Sequence, residues 1–268
     1  MLIALVSAKG SPGVTVSALA LAASWPRPVL VAECDPAGGS VALGLLRGEA
    51  GVEGRGLFRV AAAARRGEDV LGELEQNLFA LDEGGRLLWL PGLGDPARAP
   101  LVGEVYERVA AAFAELEEVA GMDVLADCGR LSAAASTLPV LRAAELTLLV
   151  VRPTAVSAQP AAGWVGKLRR ELAVSRLGLL IVGPGQYRPR EVGAALGLPV
   201  VATLPDDPVA ADGYAAGWGA GPSASSLLGA AAEAGKAIRA AAAAASPPWP
   251  LPPTSVGGTS AERLAVHR

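Results

Sequence analysis

Met1–Thr15 reads MLIALVSAKGSPGVT, and the fold is decided there. Leu2 to Val6 are an unbroken apolar run, the pattern of a central parallel strand covered on both faces. Lys9-Gly10-Ser11-Pro12-Gly13 follows, a turn of small and rigid residues. Thr15 then opens an apolar helix over Val16 to Ala23. A strand, a glycine turn and a helix N-terminus in succession make an anion site. Backbone N–H groups converge there and the helix dipole adds partial positive charge.

Outward from this unit the same alternation repeats. Pro28–Cys34, Arg86–Leu90, Met122–Gly129, Leu146–Val151, Gly178–Val182 and Leu198–Leu204 read as further strands. Helices are expected near Val41–Leu46 and over Leu57–Arg66, Val70–Leu78, Leu101–Val119, Ala155–Leu172 and Leu227–Ala244. In Leu101–Val119 the apolar positions Val102, Val105, Val109, Ala112, Phe113 and Leu116 keep helical spacing. Pro160 is expected in or near the first turn of its helix. Strands alternating with helices predict an α/β domain, a doubly wound and mostly parallel sheet with helices on both faces. Its span is residues 1–245; the Pro-rich stretch 246–268 reads as an extended or disordered tail.

Composition narrows the chemistry. The chain has 268 residues, 51% of them hydrophobic, enough for a large core. A net charge of −3 gives no overall basic excess for nucleic acid. His267 is the only histidine, which excludes His-based catalysis and His-rich metal sites. Cys34 and Cys128 form neither a disulfide framework nor a metal pattern and read as buried fillers in a reducing cytoplasm. The N-terminal apolar run lacks a basic leader and is interrupted at Lys9–Gly13, unlike a signal peptide. No apolar run is long enough to span a bilayer.

Three loops at strand ends are candidate ligand sites: Lys9–Thr15, Glu33–Ser40 and Asp127–Arg130. Against the phosphate-loop pattern G-x-x-x-x-G-K-[ST], the closing residues are Gly13, Val14 and Thr15, so the lysine is replaced by valine. Lys9 stands instead at the start of the loop. This arrangement resembles the deviant Walker A loop, K-G-G-x-G-K-[ST], of the MinD/ParA family of P-loop ATPases (SIMIBI-like NTPases). The resemblance extends to Glu33-Cys34-Asp35-Pro36-Ala37-Gly38, to Asp123–Gly129 as a Walker B and switch segment, and to Leu198–Asp207.

The resemblance implies ATP and Mg²⁺ as cofactors. Gly10, Ser11, Pro12, Gly13, Val14 and Thr15 would cradle phosphates, Thr15 and Asp127 would hold the metal, and Asp35 would orient the attacking water. Gly129 would let the switch move, although it comes sooner after Asp127 than the family pattern has it. Pro205 and Asp207 would flank the adenine, while Gly183-Pro184 replaces the usual Asn-Arg pair. Lys9 would reach the nucleotide across a face-to-face homodimer. Catalytic roles thus fall on Lys9, Asp35 and Asp127. The absent loop lysine predicts weak binding and slow or absent hydrolysis.

The function this implies is spatial positioning or partitioning in the cytoplasm, with protein partners. Peripheral membrane contact is compatible with the family. Non-specific DNA contact would use Lys167, Arg169, Arg170 and Arg176, for which a solvated helix face is the plainer reading. One alternative is a scaffold resembling CpaE/TadZ, acting in pilus, secretion or septum localisation without hydrolysis. Another is a small-molecule enzyme on a similar sheet.

Overall fold

The structure is a computed structural model and describes residues 1–9, 12–39, 41, 54–132, 137–216 and 226–245. Gly10, Ser11, most of the helix expected near Val41–Leu46, and the tail 246–268 lie outside the described residues.

The strands are β1 (Leu2–Ser7), β2 (Val29–Glu33), β3 (Phe79–Ala80), β4 (Leu87–Leu90), β5 (Asp123–Arg130), β6 (Leu146–Val151), β7 (Leu177–Val182) and β8 (Val200–Leu204). They form one sheet in the order β3-β4-β2-β5-β1-β6-β7-β8. Every pairing is parallel except β3 with β4. The described helices are α1 (Val14–Ala23), α2 (Leu57–Arg66), α3 (Val70–Gln76), α4 (Ala99–Gly103), α5 (Tyr106–Ala120), α6 (Leu138–Ala143), α7 (Ala155–Glu171), α8 (Pro189–Leu196), α9 (Pro208–Ala216) and α10 (Ser226–Ala244).

Side chains alternate across the sheet and so divide the core in two. Leu2, Ala4 and Val6 join Ala32, Ala126 and Leu149 under α2, α5 and α7. Ile3 and Leu5 join Val31, Leu125 and Val150 under α1 and α10. β1 is buried throughout because it sits between β5 and β6 with helices on both faces. Parallel strands with one edge of C-terminal ends bring the tips of β1, β2 and β5 together, which is what positions the site.

Several expectations are corrected. The long helix read over Leu101–Val119 is split into α4 and α5, with Glu104 and Val105 between them. Val105 leaves helical geometry at φ −118°, ψ 4°. Its apolar stripe survives, since Val102, Val105, Val109, Ala112, Phe113 and Leu116 are all buried. Pro160, expected in or near the first turn of its helix, is the sixth residue of α7, just past that turn. The edge strand β3 and helices α6, α8 and α9 were not read from the sequence; all are short. Arg176 is no surface cation: it is 4% exposed and its guanidinium donates to the carbonyls of Leu141, Arg142 and Ala144. It caps the buried turn after α6 and is removed from the proposed basic cluster. Cys34 and Cys128 are fully buried free thiols on neighbouring strand ends, where burial raises both pKa values.

Candidate functional site

The N-terminus of α1 faces the tips of β1 and β5. Gly13 precedes the helix at φ 99°, a left-handed conformation that favours glycine, and it has no side chain with which to cap the first turn. The first-turn N–H groups thus have no cap from their own N-cap residue. Thr15, on that turn, donates from Oγ1 to Asp127 Oδ2 at 2.5 Å. Val14 points the other way. It is 7% exposed and belongs to the apolar cluster under α1.

Asp127 sits in register with Leu5 of β1 and Glu33 of β2, at the centre of the sheet. Its Oδ1 accepts from Gly129 N at 3.0 Å. Burial pushes its pKa up to about 6; the bonds from Thr15 and Gly129 oppose that rise, and the nearby Asp35 adds to it. Asp35 is itself raised, chiefly by desolvation, against the bond from Ala37 N at 2.8 Å and the charge of Arg130. Gly129, at φ 58°, explains the closeness of the two carboxylates: a Cβ there would lie 1.9 Å from Asp35 Oδ2. Two desolvated carboxylates and a threonine hydroxyl thus meet beside an uncapped helix N-terminus.

This donor set fits Mg²⁺ bound with phosphate. Mg²⁺ in phosphate sites takes one or two protein oxygens and completes its octahedron with phosphate and water. Among the described residues no group of three or more His, Cys, Asp or Glu side chains could hold a metal ion.

The other expected residues are placed as follows. Lys9 is exposed at the end of β1. Pro12 and Gly13 complete the described part of the loop. Pro205 lies just after β8, and Asp207 caps α9, accepting from Ala210 N at 3.0 Å. Next to them is a feature the sequence did not single out. Arg152, after β6, makes a two-pronged ion pair with Asp206 at 2.8 and 3.0 Å. Glu33 is not at the anion loop. It is buried and accepts from Val41 N, Trp89 Nε1 and Gly92 N, so it fastens β2 to the loop after β4.

No protein-family model matches the sequence, and no curated protein matches it. Solved structures match the fold. The cell division ATPase MinD of Pyrococcus furiosus is 21% identical, with a TM-score of 0.66 over 90% of this chain and 98% of that one. A ParA family ATPase from Chlorobium tepidum TLS is 18% identical, with a TM-score of 0.65 over 88% and 97%. The septum site-determining protein MinD of Pyrococcus horikoshii OT3, complexed with Mg-ADP, is 20% identical, with a TM-score of 0.64 over 88% and 95%. The fold is that of the P-loop NTPases. Within them, it is the MinD/ParA-like α/β fold that this chain adopts.

Proposed function

We propose that this chain is a MinD/ParA-like nucleotide-binding protein that acts through dimerisation as a spatial-positioning or partitioning factor, with weak or absent ATP hydrolysis. The observation that carries the reading is the 2.5 Å bond from Thr15 Oγ1 to Asp127 Oδ2. It joins the expected metal ligands at the open N-terminus of α1. ATP would lie along Lys9–Thr15 with its phosphates on the first-turn N–H groups, and Mg²⁺ would be held by Thr15 and, through water, by Asp127. Asp35, against Gly129, would orient water at the terminal phosphate.

Val14 supports the impaired chemistry. A lysine there would supply a full charge to the β- and γ-phosphate oxygens as charge shifts in transfer. Valine is packed into the core and supplies none. A charge-assisted hydrogen bond lost to a phosphate costs about 1.5–3 kcal/mol, so affinity falls by roughly 10- to 100-fold. Lys9, from a second copy, would supply charge from outside, which makes dimerisation the event that nucleotide controls. We extend this domain over residues 1–245.

The same burial of Val14 favours a second reading, a scaffold that has given up nucleotide and keeps the fold for partner binding. A titration with Mg²⁺ and ATP followed by a phosphate-release assay separates the two. Saturable binding supports the first; no binding at millimolar ATP supports the second.

A further inference from the structure

A second cavity lies on the same edge of the sheet, across β2 from the anion loop, and it has a volume of about 420 Å³. That is within the range of sites for small organic ligands. Phe58, Pro91 and Leu93 give it apolar walls, and Arg55, Arg59 and Arg98 surround it. Its floor is Glu33, whose carboxylate already accepts three N–H groups at 3.0–3.2 Å. The floor is therefore a satisfied surface.

The arginines differ from ordinary surface cations in how they are held. Arg98 stacks over the Phe58 ring at 4.6 Å. Arg55 stacks over Phe79 at 4.1 Å and is fixed further by the carbonyls of Gln76 and Leu78. Phe79 in turn packs against Trp89, which donates to Glu33. Arg59 and Arg98 form ion pairs with Glu73 and Asp95 only at 3.9 Å, between side chains that, Glu73 apart, are more than half exposed. Such pairs stabilise little. Three guanidinium groups thus line one mouth, two of them held on aromatic faces, and among the described residues neither Arg59 nor Arg98 has a short carboxylate contact. Planar guanidinium forks in this number suit a phosphate dianion.

We propose that this cavity binds a small phosphomonoester carried on an aromatic or apolar body. The phosphate lies at the rim between Arg59 and Arg98, and the body lies against Phe58, Pro91 and Leu93. The site is separate from the anion loop at α1 and does not depend on nucleotide binding there.

The test is calorimetry of the full chain with 1-naphthyl phosphate, with 1-naphthol and inorganic phosphate as fragments. The expected result is saturable 1:1 binding, weaker by about tenfold or more for each fragment and for the Arg59→Ala/Arg98→Ala double variant. Both arginines are exposed enough for the variant to keep the wild-type melting temperature, which is measured alongside. Binding should be unchanged in Thr15→Ala and in saturating Mg-ADP. Absence of saturable binding up to about 5 mM, binding indifferent to the double variant, or displacement by Mg-ADP each overturns the proposal.

Discussion

Asp127 is the residue on which most of the site turns, and its protonation can be followed without any ligand. An aspartate in the unfolded chain titrates near 3.9, and Asp127 in the fold titrates at about 6. Between these values the native state keeps a proton that the unfolded state gives up. Its contribution is therefore most favourable below about pH 4 and is lost as pH rises towards 6. At neutral pH the penalty is on the order of 3 kcal/mol. Asp127→Asn keeps both hydrogen bonds, with the amide oxygen accepting from Gly129 and the amide nitrogen donating to Thr15. It should raise the melting temperature of the metal-free protein at pH 7.5 and leave it little changed at pH 4.5. Equal melting curves at pH 7.5 would show that the carboxylate is not desolvated. Gly129→Ala makes a second residue-scale prediction. It forces an L side chain to φ 58° and into Asp35, so urea denaturation should report a loss of about 1–3 kcal/mol. An unchanged midpoint would contradict the contact.

At the scale of elements, the sheet has two ends with different duties. The C-terminal edge carries the ligand loops. The opposite edge carries a buried charge knot around Asp123, which is fully buried and accepts from Trp25 Nε1 at 2.8 Å and from Arg239 of α10. Arg239→Ala should destabilise the fold by about 1–3 kcal/mol, with α10 losing hydrogen-exchange protection first, and should leave nucleotide affinity unchanged. Loss of affinity in that variant would mean the two edges are not independent. The long elements were legible in sequence because burial imprints period: β1, β2, β6 and β7 are buried along their length and apolar but for Ser7, Glu33, Thr147 and Gly178, and α5 keeps its stripe. The short ones left no such imprint. β3 is two residues and α6 is six, too short for periodicity to speak. Arg176 reads as one more surface cation, and only its three carbonyl partners reveal a buried brace.

For the whole molecule, the candidate site was legible because parallel strands deliver their ends to one edge. Strand boundaries put Asp35 and Asp127 at that edge; by spacing alone Asp35 reads as a cap of the next helix, and its place in the site was implied by the family resemblance. The close approach of Asp35 to Gly129 and the inward packing of Val14 needed coordinates. The arginine-lined cavity was illegible, since its residues come from separated segments that share no motif. If Lys9 acts across a dimer, Lys9→Ala should abolish nucleotide-induced dimerisation in analytical ultracentrifugation while the monomer stays folded. A dimer that persists in the variant removes the lysine from the interface.

The most direct measurement is calorimetric titration of wild type and Val14→Lys with Mg²⁺ and ATP. Weak, saturable binding by wild type, tightened about tenfold or more by the lysine, is the result expected of a phosphate loop that has lost its main cation. A lysine variant that folds and binds no better than wild type would contradict the placement of Gly13–Thr15 on the phosphates.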